Sequence, residues 1–416
     1  MSARADRVVL LSGPGSYRAA AFLEAAARLR LIAVHGIDRP ESILPAAPGI
    51  LPLDFADTND AVLRLAAFIE IHPARAILSV DDSASFLAAA ASAALGLPHN
   101  DPDSALAASD KFIMRQRLRA GGVRVPEFSV FRLDANPEGI NVSFPSVVKP
   151  TRLNGSRGVM RVNDPAEFAI AFNLVRRMLL AEGWAAADEA IIVERYLPGV
   201  EVAVEGLLTG GQLHVLAIFD KPDPLEGPLF EETIYVTPSR LSLETQHEIA
   251  AVTERSAAAL GLRHGPLHAE LRVNDEGVWP IELAGRSIGG LCSSILEFGA
   301  GMSLEELILR HAVGMDLPST ERSGGAVGAM MIPIPGAGIL RSVDGGEAAL
   351  AVPGITGLEI AAPLNAPITP LPEGSAYLGF IFARGDSPEF VEAALRSAHA
   401  ALIIQIDPMI VLSLVR

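Results

Sequence analysis

FPSVVKPTRLNGSRGVMRV, residues Phe144–Val162, is the stretch from which the rest of the chain can be read. An apolar run delivers Lys149, Pro150 stops it, and Asn154-Gly155-Ser156-Arg157-Gly158 forms a loop before a second apolar run. Glycines and small polar residues let backbone N–H groups come close to an anion, and such turns form concave anion sites. Gly155, Ser156 and Gly158 are therefore candidate phosphate cradles, with Lys149 at the loop mouth able to reach α- and β-phosphates. A Gly-rich hairpin without a ligand has the same pattern, so the loop needs support from elsewhere in the chain.

Composition supplies some. Of 33 basic residues only Lys111, Lys149 and Lys221 are lysine, and the rest are arginine. On a solvated surface the two are nearly interchangeable, but a compact ammonium on a thin stem suits a phosphate or carboxylate pocket. The formal net charge of −16 over 416 residues leaves nothing to neutralise a nucleic-acid backbone. It leaves room for a local cationic pocket. The single Cys292 excludes an internal disulfide framework and a CxxC zinc site. The apolar run Val8–Leu11 is too short for a signal peptide. Phe86–Leu97 falls short of the roughly 20 residues of a membrane span. A cytoplasmic protein without membrane partners is expected.

The first hundred residues alternate strand and helix patterns: Arg7–Leu11, Tyr17–Leu29, Leu31–His35, Asp60–Ile71, Ala76–Val80 and Ser83–Leu95. That rhythm predicts βαβ units and a parallel sheet. Residues 103–123 read as helical, capped by Asp103 or Ser104 and closed by Gly121-Gly122. Strand patterns dominate from Ile191, a helix pattern covers Leu243–Leu260, and Asn274–Gly277 joins two strands as a hairpin. Residues 303–313 and Pro388–Leu402 are further helices, and the Gly- and Pro-rich tail suggests a small domain. Boundaries are expected at 1–102 (Rossmann-like), 103–190 (small lobe with the Gly-rich loop), 191–318 (central domain) and 319–416 (C-terminal domain).

Three more segments carry candidate chemistry. Ser12–Ser16, SGPGS, follows a strand and opens a helix, but it lacks the third glycine of a dinucleotide-binding turn and the lysine of a P-loop. It reads as a tight βα turn with some anion contact at the helix N-terminus. In IIVERYLPGVEVAVE (Ile191–Glu205), backbone groups at Tyr196–Leu197 could read an adenine edge and Glu201 could accept from ribose hydroxyls. A hairpin with solvated acids fits that segment equally well. In Gly265–Ser287, Glu270 and Glu282 stand on the two strands of the hairpin, twelve residues apart. Two unpaired carboxylates on a buried face repel, an objection that divalent cations remove; magnesium binds through one or two carboxylates plus substrate phosphates. Arg286 has the bidentate fork suited to a transferring phosphoryl group.

The order Lys111, Lys149 with its loop, Glu194, Glu201, Glu270, Glu282, Arg286 resembles the ATP-grasp superfamily over roughly residues 1–315. Within it, Phe219–Leu241 and Tyr377–Asp386 are similar to L-amino acid ligases of the bacilysin and carnosine synthase type. The resemblance implies an α/β fold of three lobes, with ATP between two antiparallel sheets beside two Mg2+ ions, or Mn2+ in their place. It implies that Lys111 and Lys149 bind phosphates and that Glu194 and Glu201 read adenine and ribose. Glu270 and Glu282 would hold metal, and Arg286 the acyl phosphate. Glu232 and Tyr235 would face the amino-acid substrate, with Lys221 in the same segment. On chemical grounds, His268 either orients Glu270 or a substrate group or is simply a packed histidine, and backbone N–H groups of Ser287, Gly289 and Gly290 would join Arg286 at the oxyanion.

One position departs from the pattern: Ala284 stands where many ATP-grasp enzymes have asparagine. Small-molecule carboxylate and amine partners and a homodimer are expected by resemblance alone, and the charge argues for no nucleic-acid partner. Purine-pathway or carboxylase-type chemistry, a nucleotide sensor without turnover, and an NAD-dependent oxidoreductase using SGPGS are the alternatives.

Overall fold

The computed structural model describes residues 6–43, 47–374 and 377–409. The N-terminal lobe runs β1 (Arg7–Ser12), α1 (Ala19–Arg28), β2 (Ile32–Asp38), β3 (Ile50–Leu53), α2 (Thr58–Ile71), β4 (Ala76–Ser79) and α3 (Ser85–Leu95). Its sheet is parallel, in the order β3-β2-β1-β4. Central β1 is covered on both faces, which is why VVLL is a continuous apolar run rather than an alternating one. α3, the alanine-rich stretch, ends at Gly96 in a left-handed cap (φ 63°). Among the described residues no helix is long and apolar enough to cross a membrane.

The helix expected over 103–123 is two. α4 (Pro102–Ser109) is capped by Asp101, and α5 (Lys111–Ala120) by Asp110, whose carboxylate accepts from the N–H groups of Phe112 and Ile113. Aspartate competes for backbone donors in a helix interior and satisfies them at an N-cap, so the chain breaks there. Lys111 consequently opens a helix, the end where a cation is disfavoured by the dipole.

The small lobe has β5 (Phe128–Arg132), β6 (Ser146–Pro150), β7 (Met160–Val162), α6 (Pro165–Ala181) and β8 (Glu189–Arg195). Its antiparallel order is β5-β8-β6-β7. The sequence reading did not anticipate α6, although Asp164-Pro165 is an N-cap followed by proline at the first helical position. Phe168, Ala171, Phe172, Val175 and Leu179 of α6 bury one stripe against this sheet. Each buried phenylalanine contributes ~1.5–3 kcal/mol.

The central sheet begins with β9 (Val200–Thr209), β10 (Gln212–Lys221) and β11 (Ile234–Thr237). After α7 (Leu243–Leu260) come the hairpin strands β12 (Gly265–Asn274) and β13 (Gly277–Ala284). A short pair, β14 (Glu297–Phe298) and β15 (Met302–Ser303), leads into α8 (Leu304–Val313). The tail comprises β16 (Ala326–Ile332), β17 (Gly338–Asp344), α9 (Gly346–Leu350), β18 (Ile355–Ile360), β19 (Pro367–Ile368), β20 (Gly379–Gly385), α10 (Pro388–Ala400) and β21 (Ile403–Asp407).

Instead of standing apart, the tail adds three strands to the central sheet, in the order β13-β12-β9-β10-β11-β16-β20-β18. β19, β17 and β21 form a small sheet of their own. The apolar residues of β16 are buried along its whole length, so this strand is an inner one with partners on both edges. One core lies between the central sheet and α5 and α7; another binds it to the N-terminal lobe through α1 and α8.

Candidate active site

A cavity of about 500 Å3 opens between the lobes, within the ~300–1,000 Å3 range of small-molecule pockets. Every lobe contributes: the SGPGS turn and Asp81–Ser83, Lys149 with the Gly-rich loop, Glu194–Leu197, the β12–β13 hairpin, and Tyr377 with Phe380 from the tail. The turn set aside as a dinucleotide motif is therefore cavity wall, as its anion-contact reading allowed.

Lys149, at the end of β6, places Nζ 2.6 Å from Glu194 Oε2 at the end of β8, both buried. Fully buried Arg115 from α5 sits 2.7 Å from the other carboxylate oxygen and donates to the Ile281 carbonyl. Two cations against one acid leave a net positive charge at the loop mouth. Burial, with Arg115 nearby, lowers the Lys149 ammonium to about 8 despite Glu194. Burial pushes Glu194 upward, but Arg115 and Lys149 outweigh it and hold the carboxylate below its usual range. Lys111 is also buried; Nζ donates to the Leu153 carbonyl at 2.9 Å and lies 3.5 Å from Glu282. Those two oxygens offset the unfavourable end of α5. Leu153 itself takes φ 97°, a left-handed conformation that leucine rarely adopts.

The second cluster is acidic. Around Lys221 Nζ stand Glu201 at 2.8 Å, Glu270 at 3.4 Å, and Glu232 in closer contact. Oxygens of these three carboxylates lie within 4.8 Å of one another, close enough to share a cation. Arg272 donates to Glu201 at 3.0 Å, and Tyr235 Oη to Glu232 at 2.8 Å. Burial, reinforced by Glu270 and only partly offset by Lys221, raises Glu232 to about 7. The same acids hold Lys221 well above its ordinary value against burial.

Glu270 and Glu282 face each other directly across β12 and β13. This pairing comes from a bulge. The turn pairs Asn274 with Gly277 and Leu271 with Pro280, a register that would set Glu270 against Ile281; a shift after Leu271 brings Glu282 opposite instead.

The third cluster ties the N-terminal lobe to Arg286. Asp82 accepts from Arg286 Nε at 2.8 Å and Nη2 at 2.7 Å, and the Ser287 carbonyl accepts from Arg286 Nη1 at 2.9 Å. Buried Arg18 donates to the Ser287 hydroxyl and, at 3.1 Å, to its carbonyl. Glu205, fully buried, accepts from Ile288 N–H at 2.9 Å and lies 3.2 Å from His268 Nδ1; its carboxyl is raised chiefly by burial.

Of the expected site residues, Lys111, Lys149, Gly155, Ser156, Glu194, Tyr196, Leu197, Glu201, Glu232, Tyr235, His268, Glu270, Glu282, Arg286, Gly289 and Gly290 all line this cavity. Lys221 lies behind its three acids. Two expectations need correction. Gly158 N–H donates to the Pro372 carbonyl at 2.9 Å, so it is spent on the tail rather than on a phosphate. Ser287 is buried and turned to Arg18, away from a substrate position. Lys221 and Arg272 hold Glu201, and Arg115 and Lys149 hold Glu194, while both carboxylates keep a place in the cavity wall. Tyr196 N–H donates to Pro145 and the Leu197 carbonyl accepts from Arg272. The Tyr196 carbonyl and Leu197 N–H have no partners among the described residues. His268 is buried, with Nδ1 on Glu205 and Nε2 3.7 Å from Glu270.

Sequence reasoning missed Arg18, Asp82, Arg115, Glu205 and Arg272. With arginine so abundant, no compositional signal separates a buried arginine from a solvated one.

Residues 142–295 match the ATP-grasp domain family and residues 330–407 the L-amino acid ligase C-terminal domain 2 family. An uncharacterized protein of Sinorhizobium fredii is 25% identical over 317 residues, 75% of this chain and 64% of that protein. An alanine–anticapsin ligase of Bacillus subtilis is 27% identical over 239 residues, 52% of this chain and 49% of that one. The chain thus spans about half to two thirds of the length of these relatives. The crystal structure of an L-amino acid ligase from Bacillus licheniformis superposes with a TM-score of 0.82 at 27% identity, covering 97% of this chain and 99% of that one. Cavity, lobes and tail agree: the chain carries an ATP-grasp domain followed by an L-amino acid ligase C-terminal domain, on the fold of an L-amino acid ligase.

Proposed function

We propose that the protein is an ATP-dependent, ADP-forming carboxylate–amine ligase joining amino acids or similar molecules through an acyl phosphate. The observation that carries this reading is the gathering of Lys111, Lys149, Glu270, Glu282 and Arg286 around one cavity. Phosphoryl transfer asks a protein mainly for positioning and charge. Lys111 and Lys149 neutralise charge on the phosphates, and the loop Leu153–Ser156 covers them and excludes water. The Tyr196 carbonyl and Leu197 N–H take the base edge.

A divalent metal fits Glu270 and Glu282, which are opposed across the hairpin. Glu270 and Glu282 would hold Mg2+, in one or two ions, and when bound it would offset charge on the phosphate oxygens. Ala284 adds no ligand on that side. Glu232, with Tyr235 beside it, receives the substrate ammonium, and with its carboxyl raised to about 7 it can also accept a proton from it. The substrate carboxylate attacks the γ-phosphate and expels ADP. The amine then attacks the acyl carbon and expels phosphate, with Arg286 stabilising the oxyanion.

The test is ADP and phosphate release across pairs of amino acids, with product mass determined. Amide product with matching ADP is expected. Turnover only with bicarbonate or formate would replace this reading with carboxylase or purine-type chemistry. Nucleotide binding with no turnover on any substrate would leave a sensor. Protection of NADH fluorescence would favour an oxidoreductase.

A further inference from the structure

We infer that Asp82 is a positioning residue that aims Arg286, so that the N-terminal lobe sets the geometry of the reacting centre. This rests on the ligase reading above.

A guanidinium has five N–H donors. In Arg286, Asp82 takes one on Nε and one on Nη2, and the Ser287 carbonyl takes one on Nη1. Two remain, one on each terminal nitrogen, forming an end-on fork. Arg286 lines the cavity, so that fork is what it can offer to an oxyanion or phosphoryl oxygen. Asp82 therefore orients the fork and leaves it unoccupied.

The arrangement is braced. The side chains of Asp82 and Arg286 are only 19% and 14% exposed, so their pairing is little screened. Arg18 holds the other side: it donates to the Val80 carbonyl, at the end of β4, and to both oxygens of Ser287. Residues 80–82 of the N-terminal lobe and residues 286–287 of the central lobe are thereby clamped at two points. Asp82 also remains ionised: burial pushes its carboxyl up, but Arg286, then Arg18 and Lys111, outweigh it. A neutral amide at this position would keep the shape, lose the charge, and turn an N–H donor against one nitrogen of the fork.

The experiment compares wild type, Asp82→Asn, Arg286→Lys and, as a control, Asp6→Asn, which breaks an exposed ion pair with Arg75 elsewhere in the same lobe. ADP release and amide formation are measured together. Removing one oxyanion donor costs ~10²–10³ in kcat, so mis-aiming the donor is expected to cost ~10–100-fold. For Asp82→Asn the loss should fall on kcat for the amide, with KM for ATP within about twofold and several ADP released per amide formed. A merely structural role would lower both products together or shift KM. Unchanged coupling in Asp82→Asn, or coupling equally disturbed in Asp6→Asn, would overturn the inference.

If wild type makes no amide, the ligase reading fails and the inference is judged without activity. In the ligand-free protein the 15Nε–1H resonance of Arg286, identified by its loss in Arg286→Lys, should be slow to exchange. It should broaden or vanish in Asp82→Asn. A resonance indifferent to that substitution would refute the positioning role.

Discussion

Replacing Lys221 with methionine tests the acidic cluster most directly. Its side chain is 3% exposed, and its ammonium is the shared partner of Glu201, Glu232 and Glu270. Methionine fills similar volume and removes the charge. Arg272 still holds Glu201, but Glu232 and Glu270 are left facing each other. Breaking a buried ion pair from one side costs ~3–5 kcal/mol, and that loss is expected at pH 8.

The penalty must shrink with acid. In wild type Glu232 stands at about 7, raised by burial and Glu270, so protonation stabilises the fold as pH falls through that value. Between pH 8 and 6 this gains ~1.4 kcal/mol. Without Lys221 the carboxyl rises further; if above 8, the same interval gains ~2.7 kcal/mol. The gap between the two proteins should therefore narrow by ~1.4 kcal/mol. Adding Glu232→Gln should recover ~1–3 kcal/mol at pH 8 and abolish most of the narrowing. Urea unfolding followed at Trp279, which is buried in the central sheet, reads the relevant lobe. A gap that does not change with pH, or a Lys221→Met protein within about 0.5 kcal/mol of wild type, would refute the reasoning.

Three further outcomes follow from the same geometry. Lys149 loses its charge as pH rises through about 8, so kcat/KM for ATP should decline above that value; Lys149→Met should remove this limb along with at least ~100-fold of activity, read from pH–rate profiles. Glu232→Gln should abolish the acidic limb near 7 and raise KM for the amine far more than KM for ATP, measured by steady-state kinetics. Gly290→Ala puts a side chain at φ 59° with its Cβ 2.8 Å from Phe380, and should cost ~1–3 kcal/mol and loosen the aromatic wall, seen as a lower unfolding midpoint and a raised substrate KM.

Much of this was legible because chemistry and local pattern coincide. The β-hairpin at Asn274–Gly277, helix α7 at its observed ends and the βαβ lobe all follow from turn residues and apolar periodicity. The lysine argument also carried: in an arginine-dominated chain, all three lysines are buried at or just behind one cavity. Long-range partners were not legible. Nothing in the sequence distinguishes Asp82 from Asp81, yet one holds Arg286 while the other accepts from Gly13 N–H. The C-terminal segment looked independent because glycine and proline mark loops; strand pairing between distant segments leaves no local signal.

By itself the sequence determined which residues can carry the chemistry. Ammonium, carboxylate and guanidinium groups have fixed charges and donor sets, and the loop composition fixes where backbone can approach an anion. Only tertiary structure decided which groups remain free to act. The bulge that sets Glu282 opposite Glu270, the Asp82 carboxylate on Arg286, and the Pro372 carbonyl on Gly158 N–H each depend on what folds against what. The physical reason is that a buried polar group must find a partner, and that partner can lie anywhere in the chain.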